Sequence, residues 1–293
     1  MTKSRKGADR WVRSSLLVCA STCVLLVLAI LASLVREGLP AVWEVPLSSF
    51  LSTVWRPISF VQEQFGIAPL FLSSLLVTVV AAVIAVPLGL GSAIYISHVA
   101  RPAEKEILKP TIEILAGIPS VVLGFFGLMV MAPVVKKVFG LDSGLCALTG
   151  SLLLAFMALP TIITIAEDAL TSVPKSYVEA SLAVGASRAQ TVFRTTVPAA
   201  RSGLVAASLM GIGRVIGETM AVMMVTGNAI EIPGSVFDPV RTMTATIASE
   251  MGEVAFGGVH YHVLFLIGVI LVIIAIAINW SAQRVLKRSQ VTP

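Results

Sequence analysis

Charge is scarce in this sequence. Only 13% of the 293 residues are Asp, Glu, Lys or Arg, about half of the roughly 25% usual in soluble domains. That shortage excludes a disordered chain, a basic nucleic-acid-binding tail and an ordinary soluble enzyme. Histidine and cysteine are equally thin, at three each. No C-x-x-C, H-E-x-x-H or Cys/His cluster occurs, so no metal site is expected, and no cofactor. The absence of G-K-[ST] removes a Walker-type phosphate loop, so ATP hydrolysis is not expected of this chain. No nucleophile–base pair stands out either, and an intramembrane enzyme is disfavoured with no catalytic residue assigned.

In place of charge the sequence has apolar runs: 56% of residues are hydrophobic and the mean hydropathy is +0.94. A bilayer core about 30 Å thick needs roughly 20 apolar residues in a helix. Six stretches meet that length: Leu16–Val35, Pro69–Val99, Ile114–Val135, Leu145–Ala166, Leu204–Val225 and Val263–Ala282. They predict an all-α, polytopic membrane protein. The first run follows a basic leader over residues 1–15, but it is too long for the 7–15-residue apolar core of a signal peptide and reads as an uncleaved span.

Lys and Arg set the expected orientation. With both termini inside, five fall in the leader, three in Arg101–Lys109, four in Glu167–Arg201 and three in the tail, against five outside. Positive charge prefers the cytoplasmic side, which predicts cytoplasmic N- and C-termini. Two long connectors, residues 36–68 and 227–262, then lie outside. Pro87, Gly89, Gly91, Gly117, Pro119 and Pro160 interrupt the runs, either as ordinary transmembrane enrichment or as true breaks. The three histidines, His98, His260 and His262, read as interfacial anchors. Cys19, Cys23 and Cys146 read as small hydrophobes.

Two segments carry polar signals. Glu179–Pro198 lies in a predicted cytoplasmic loop, with small apolar residues, Gly185 for a tight turn and Pro198 as a helix breaker. The second lies inside the fifth run: G-I-G-R-V-I-G-E-T-M-A-V, Gly211–Val222. A charge at bilayer depth costs about 2.5–3.5 kcal/mol on insertion scales and normally faces a cavity or partner. Arg214 and Glu218 stand four apart and are expected on one helix face. Gly213 and Gly217 repeat the spacing and are expected to admit a neighbouring helix. A guanidinium fork suits a tetrahedral oxyanion; a purely structural Arg–Glu pair is the alternative.

Glu179–Pro198 resembles the EAA loop of ABC-importer permeases: E-A-A, three residues, Gly, nine residues, then I-x-L-P. Glu179, Ala180, Gly185 and Pro198 match at that spacing, while Ser181, Thr195 and Val197 depart from it. The resemblance implies a type I (MetI-like) permease fold over residues 69–290 and a coupling helix at 179–198 that seats on an ATPase. G-R-V-I-G-E-T-M-A-V, together with Ile84–Ser97, Leu115–Leu128 and Pro239–Glu253, resembles the phosphate-specific permeases of the PstC kind. That implies phosphate import, with a translocation path at Arg214, Glu218 and Thr219. It also implies a second permease (PstA-like), two ATPase subunits (PstB-like), a phosphate-binding protein (PstS-like) and a bacterial inner-membrane location, with no nucleic acid. A PstA-type role, another oxyanion such as sulfate or molybdate, and a non-conducting phosphate-signalling scaffold stay open here.

Overall fold

The computed structural model describes residues 3–59 and 63–289. Residues 1 and 2 of the leader and residue 290 of the expected core lie outside the described residues. The chain opens with α1 (Lys3–Gly38), followed by two short helices, α2 (Pro40–Glu44) and α3 (Leu47–Phe50). A two-residue antiparallel ladder, β1 (Trp55–Arg56) with β2 (Gln64–Phe65), completes this connector. The core begins with α4 (Ala68–Ile94), which runs on through a π-helical turn, Tyr95–Val99. Pro87 sits inside α4 without ending it.

The third predicted run needs correction. Its first part belongs to α5 (Pro102–Gly117), an amphipathic helix that stops before Ile118 and Pro119, both extended. Pro at 119 biases Ile118 away from helical geometry. The membrane-length segment is Ser120–Phe139, made of α6 (Ser120–Phe126), a π turn and α7 (Ala132–Phe139). Next come α8 (Ala147–Thr171), α9 (Lys175–Ala183), α10 (Arg188–Thr191), a π turn at Val192–Thr196 and α11 (Val197–Ala199). Then follow α12 (Arg201–Ile216), α13 (Met220–Val225), α14 (Met243–Glu250) and α15 (Val259–Ser289).

Among the described residues five segments are long and apolar enough to cross a membrane: Trp11–Glu44, Ala68–Val99, Ser120–Phe139, Ala147–Thr171 and Val259–Ser281. A sixth arises only if Arg188–Ala199 and Arg201–Ile216, bent by 71°, are taken together. The fifth predicted run, Leu204–Val225, is therefore not one helix. It is α12, a break at Gly217–Thr219, and α13.

Three apolar clusters stack along the bundle. The middle one joins Val77, Ala81 and Ala85 of α4 to Leu153, Ala158 and Ile162 of α8, and to Val215, Val222 and Val225. At one end, Ala93, Ile163, Ala166, Leu170 and Leu204 surround the start of α12 and the end of α8. Here Lys109 Nζ of α5 meets Glu167 Oε1 at 2.6 Å, and that carboxylate's hydrogen bond raises the Lys109 pKa above the ordinary lysine range. Glu113 adds to the same negative field around Lys109.

At the other end the two long connectors form a packed cap. Trp55, Phe65 and Ile67 are buried with Met243, Val263 and Leu264. Glu250 of α14 draws this cap together. Its carboxylate accepts from Trp55 Nε1 (3.2 Å) and Arg241 Nη1 (2.8 Å) and meets His260 Nε2 at 2.9 Å. His262 Nδ1 contacts the Glu37 carbonyl at 2.7 Å. Two of the three expected anchor histidines thus bridge chain segments of the cap. The loop before α14 is pinned too, since Ala147 N and Leu148 N, at the start of α8, donate to the Asp238 and Val236 carbonyls. α1 and α15 run antiparallel, Gly38 against Leu266 and Leu34 against Gly268, so both continue from the cap toward the α9–α11 end.

Candidate functional site

α12 contains 16 residues, about 24 Å of helix, and stops short of the ~30 Å hydrocarbon core. Its end is set by Gly217, whose N–H still reaches the Gly213 carbonyl, and by Thr219, whose φ of −123° and ψ of −61° leave the helical region. Irregular backbone at membrane depth is tolerated only where protein buries it or a water-filled cavity meets it. Here Thr244 Oγ1 of α14 donates to the Glu218 carbonyl at 3.0 Å, and the Glu218 carboxylate accepts from Ala221 N at 3.3 Å. The cap end therefore holds the break directly through α14.

The break corrects the expected Arg–Glu face. Arg214 lies on α12 while Glu218 lies beyond its end, so the four-residue spacing no longer puts them on one helix surface. Among the described residues Arg214 has no ion-pair or hydrogen-bond partner, and it is exposed on the chain's surface. The two side chains line different cavities. Glu218 borders one of about 310 Å³, with Ser74, Thr78, Thr242 and Thr244 as its other polar lining. Arg214 borders one of about 410 Å³ between α8, α12 and α15. Thr219, half-buried at the break, directs its hydroxyl to the Gly217 carbonyl at 3.4 Å.

The glycines divide in the same way. A Cβ at Gly213 meets nothing within 4 Å, and one at Gly217 meets only the carbonyls of Gly213 and Arg214. Within this chain the expected close helix approach falls instead at Gly211. There a Cβ stands 2.3 Å from Ile162 Cγ1, and a Cβ at Gly89 stands 2.6 Å from Cγ2 of the same isoleucine. Met210, Gly213, Arg214 and Gly217, spaced three and four apart, form an exposed stripe along α12.

The Glu179–Pro198 segment is a helical hairpin and not a single helix. α9 ends at Ala183, Gly185 takes a left-handed φ of +88°, and Ser187 caps α10 in a reciprocal box with Gln190. The turn that Gly185 was expected to permit is present. Pro198 sits within α11, and the 71° bend follows it. Two of the departures from the EAA pattern meet here. Thr195 Oγ1 donates to Ser181 Oγ at 3.3 Å, and Ser181 Oγ and Thr191 Oγ1 stand 3.0 Å apart. A polar latch thus joins the hairpin arms where the pattern carries alanine and isoleucine. Glu179 and Ala180 are exposed, and beside them Tyr177, Leu182 and Val184 leave an uncovered apolar patch.

Sequence reasoning passed over two residues beside Arg214: Thr161 of α8 and Asn279 of α15 line the same cavity. Asn279 had a readable signal, as the lone amide in the apolar run Val263–Ala282. Thr161 had none, because α8 carries several threonines.

Residues 85–290 match the family described as "Binding-protein-dependent transport system inner membrane component". The chain is 30% identical to the phosphate transport system permease protein PstC of Haemophilus influenzae, over all of this chain and 99% of that protein. It is 39% identical to the probable ABC transporter permease protein YqgH of Bacillus subtilis, over 78% of this chain and 74% of that one. In fold it is similar to a chain of the MetNI methionine ABC transporter, with a TM-score of 0.60 at 21% identity, covering 74% of this chain and 93% of the other.

Proposed function

The chain belongs to the family of binding-protein-dependent transport system inner membrane components, and we propose that it is the permease subunit of an ATP-driven phosphate importer. The observation that carries this reading is Arg214, a guanidinium with no partner among the described residues, near the end of a helix that breaks three residues later. An intramembrane charge calls for a cavity, an anion or a second chain. A guanidinium fork binds phosphate oxygens in pairs.

Family membership implies an ATPase and a substrate-binding protein as partners. In the proposed assembly these are two PstB-like ATPase subunits, a PstS-like binding protein and a second, PstA-like permease facing the exposed stripe of α12. The α9–α11 hairpin then points to the cytoplasm, with both termini, and offers Tyr177, Leu182 and Val184 to the ATPase. The cap around Glu250 faces outward. ATP-driven closure moves the hairpin, the bend after α11 passes that motion to α12, and Arg214 at its far end changes its exposure. Glu218 and Thr219, held by α14, form the outer border of the path, and Gly213 and Gly217 keep the stripe thin enough for a neighbour to approach.

The test is ATP-dependent uptake of labelled phosphate by proteoliposomes holding the four kinds of subunit, with sulfate and molybdate as competitors. Phosphate uptake that neither competitor suppresses is the expected result. Uptake of sulfate or molybdate in preference reassigns the substrate. Phosphate-dependent signalling without any uptake favours the scaffold.

A further inference from the structure

The cavity beside Arg214 is walled by three helices, and each contributes one polar side chain: Thr161 from α8, Arg214 from α12 and Asn279 from α15. Among the described residues none of the three makes a hydrogen bond or ion pair within the chain. Other hydroxyls of the bundle return to their own helix, as Ser151 Oγ does to the Ala147 carbonyl at 2.8 Å and Thr226 Oγ1 to the Val222 carbonyl at 3.0 Å. Thr161 Oγ1 does not. Arg214 and Asn279 are exposed on the chain and Thr161 is half-buried, so the three donors converge on a space that a polar ligand can enter.

The chemistry of the lining selects the occupant. Among the described residues Arg214 is the only charged one bordering this cavity, because the break at Gly217 places Glu218 in the other one. An anion here meets a guanidinium with five N–H donors, an amide with two and a hydroxyl with one, and no carboxylate. Gly213 borders the same space, and a Cβ there meets nothing, so the approach to the guanidinium is unobstructed. On the reading of Arg214 as part of the anion path, on which this step rests, we infer that Thr161 and Asn279 are substrate-contacting residues of the permease. They donate to phosphate oxygens that the Arg214 fork leaves free. The three residues together form one transient oxyanion site within the membrane.

Paired substitutions in the full reconstituted complex separate donation from packing. Thr161→Val keeps shape and removes the hydroxyl, while Thr161→Ser keeps the hydroxyl and loses the methyl. Asn279→Leu removes the amide, and Asn279→Gln retains it. A hydrogen bond to a charged group makes the expected loss in maximal uptake rate about tenfold or more for Thr161→Val and for Asn279→Leu. Thr161→Ser and Asn279→Gln are expected to retain most of the rate. Half-saturation by the phosphate-loaded binding protein stays unchanged in all four, since docking lies elsewhere. Equal uptake by the Val and Ser variants, or a greater loss in Ser than in Val, overturns the inference. So does failure of the Val or Leu variant to assemble while Arg214→Gln assembles normally, because that outcome assigns packing. Arg214→Gln run in parallel distinguishes the two levels. If it abolishes uptake while Thr161→Val and Asn279→Leu transport fully, this inference alone falls. If it transports normally, the path reading falls and takes the inference with it.

Discussion

Adding one methyl group to α12 at two positions tests the packing that holds the path helix. Gly211→Ala places a Cβ 2.3 Å from Ile162 Cγ1 and 2.6 Å from its Cδ1. Ile162 is fully buried and cannot retreat, because its Cγ2 already packs against Gly89 of α4, so closely that a Cβ there would stand only 2.6 Å away. Overpacking of this kind costs about 1–3 kcal/mol. Against it stands the gain of Ala over Gly in a helix interior, about 1 kcal/mol. The net expectation is a loss of up to about 2 kcal/mol. Gly213→Ala, two residues on, meets nothing within 4 Å and keeps only the favourable term, a gain of up to about 1 kcal/mol. The difference between the two variants isolates the overpacking. Denaturant unfolding of the purified chain in detergent, followed by circular dichroism, measures it. Ile162→Ala should relieve Gly211→Ala, with a coupling of about 0.5–3 kcal/mol between the two sites. Equal stability of the two alanine variants, or strict additivity with Ile162→Ala, refutes the reasoning.

Two further outcomes are expected. Gly185→Val puts a β-branched residue at a φ of +88°, costing about 1–2 kcal/mol in backbone strain; it should weaken co-purification of the ATPase and binding-protein-stimulated hydrolysis, while Gly185→Asn, which tolerates that conformation, keeps more of both. Glu250→Gln removes the charge shared by Arg241 and His260 and should cost about 1–3 kcal/mol, read as faster limited proteolysis of the cap and an earlier unfolding midpoint.

What the sequence reveals follows the range of each physical signal. Four of the apolar runs coincide with long helices of the fold, because a bilayer demands such length of any helix that spans it. The spacing from Glu179 to Pro198 was legible because the hairpin is local, and Gly185 marks its turn. The break at Gly217–Thr219 was not. Gly and Thr are common in membrane helices and do not by themselves announce a break, and the pairing assumed for Arg214 and Glu218 required an unbroken helix. The start of the third span was misplaced for a similar reason: Ile114–Gly117 are apolar but end an amphipathic helix. The cap was illegible beyond the length of its connectors, since Trp55 and Glu250 meet across 195 residues. Ser181 and Thr195, separately weak matches to a family pattern, make sense only as a hydrogen-bonded pair.

The central claim is that the Arg214 guanidinium handles the transported anion. Phosphate uptake by Arg214→Gln, measured in proteoliposomes whose subunit composition matches the unaltered complex, tests it most directly. Uptake at background level with the complex intact is the predicted result. Uptake near the unaltered rate contradicts it and returns Arg214 to a structural role.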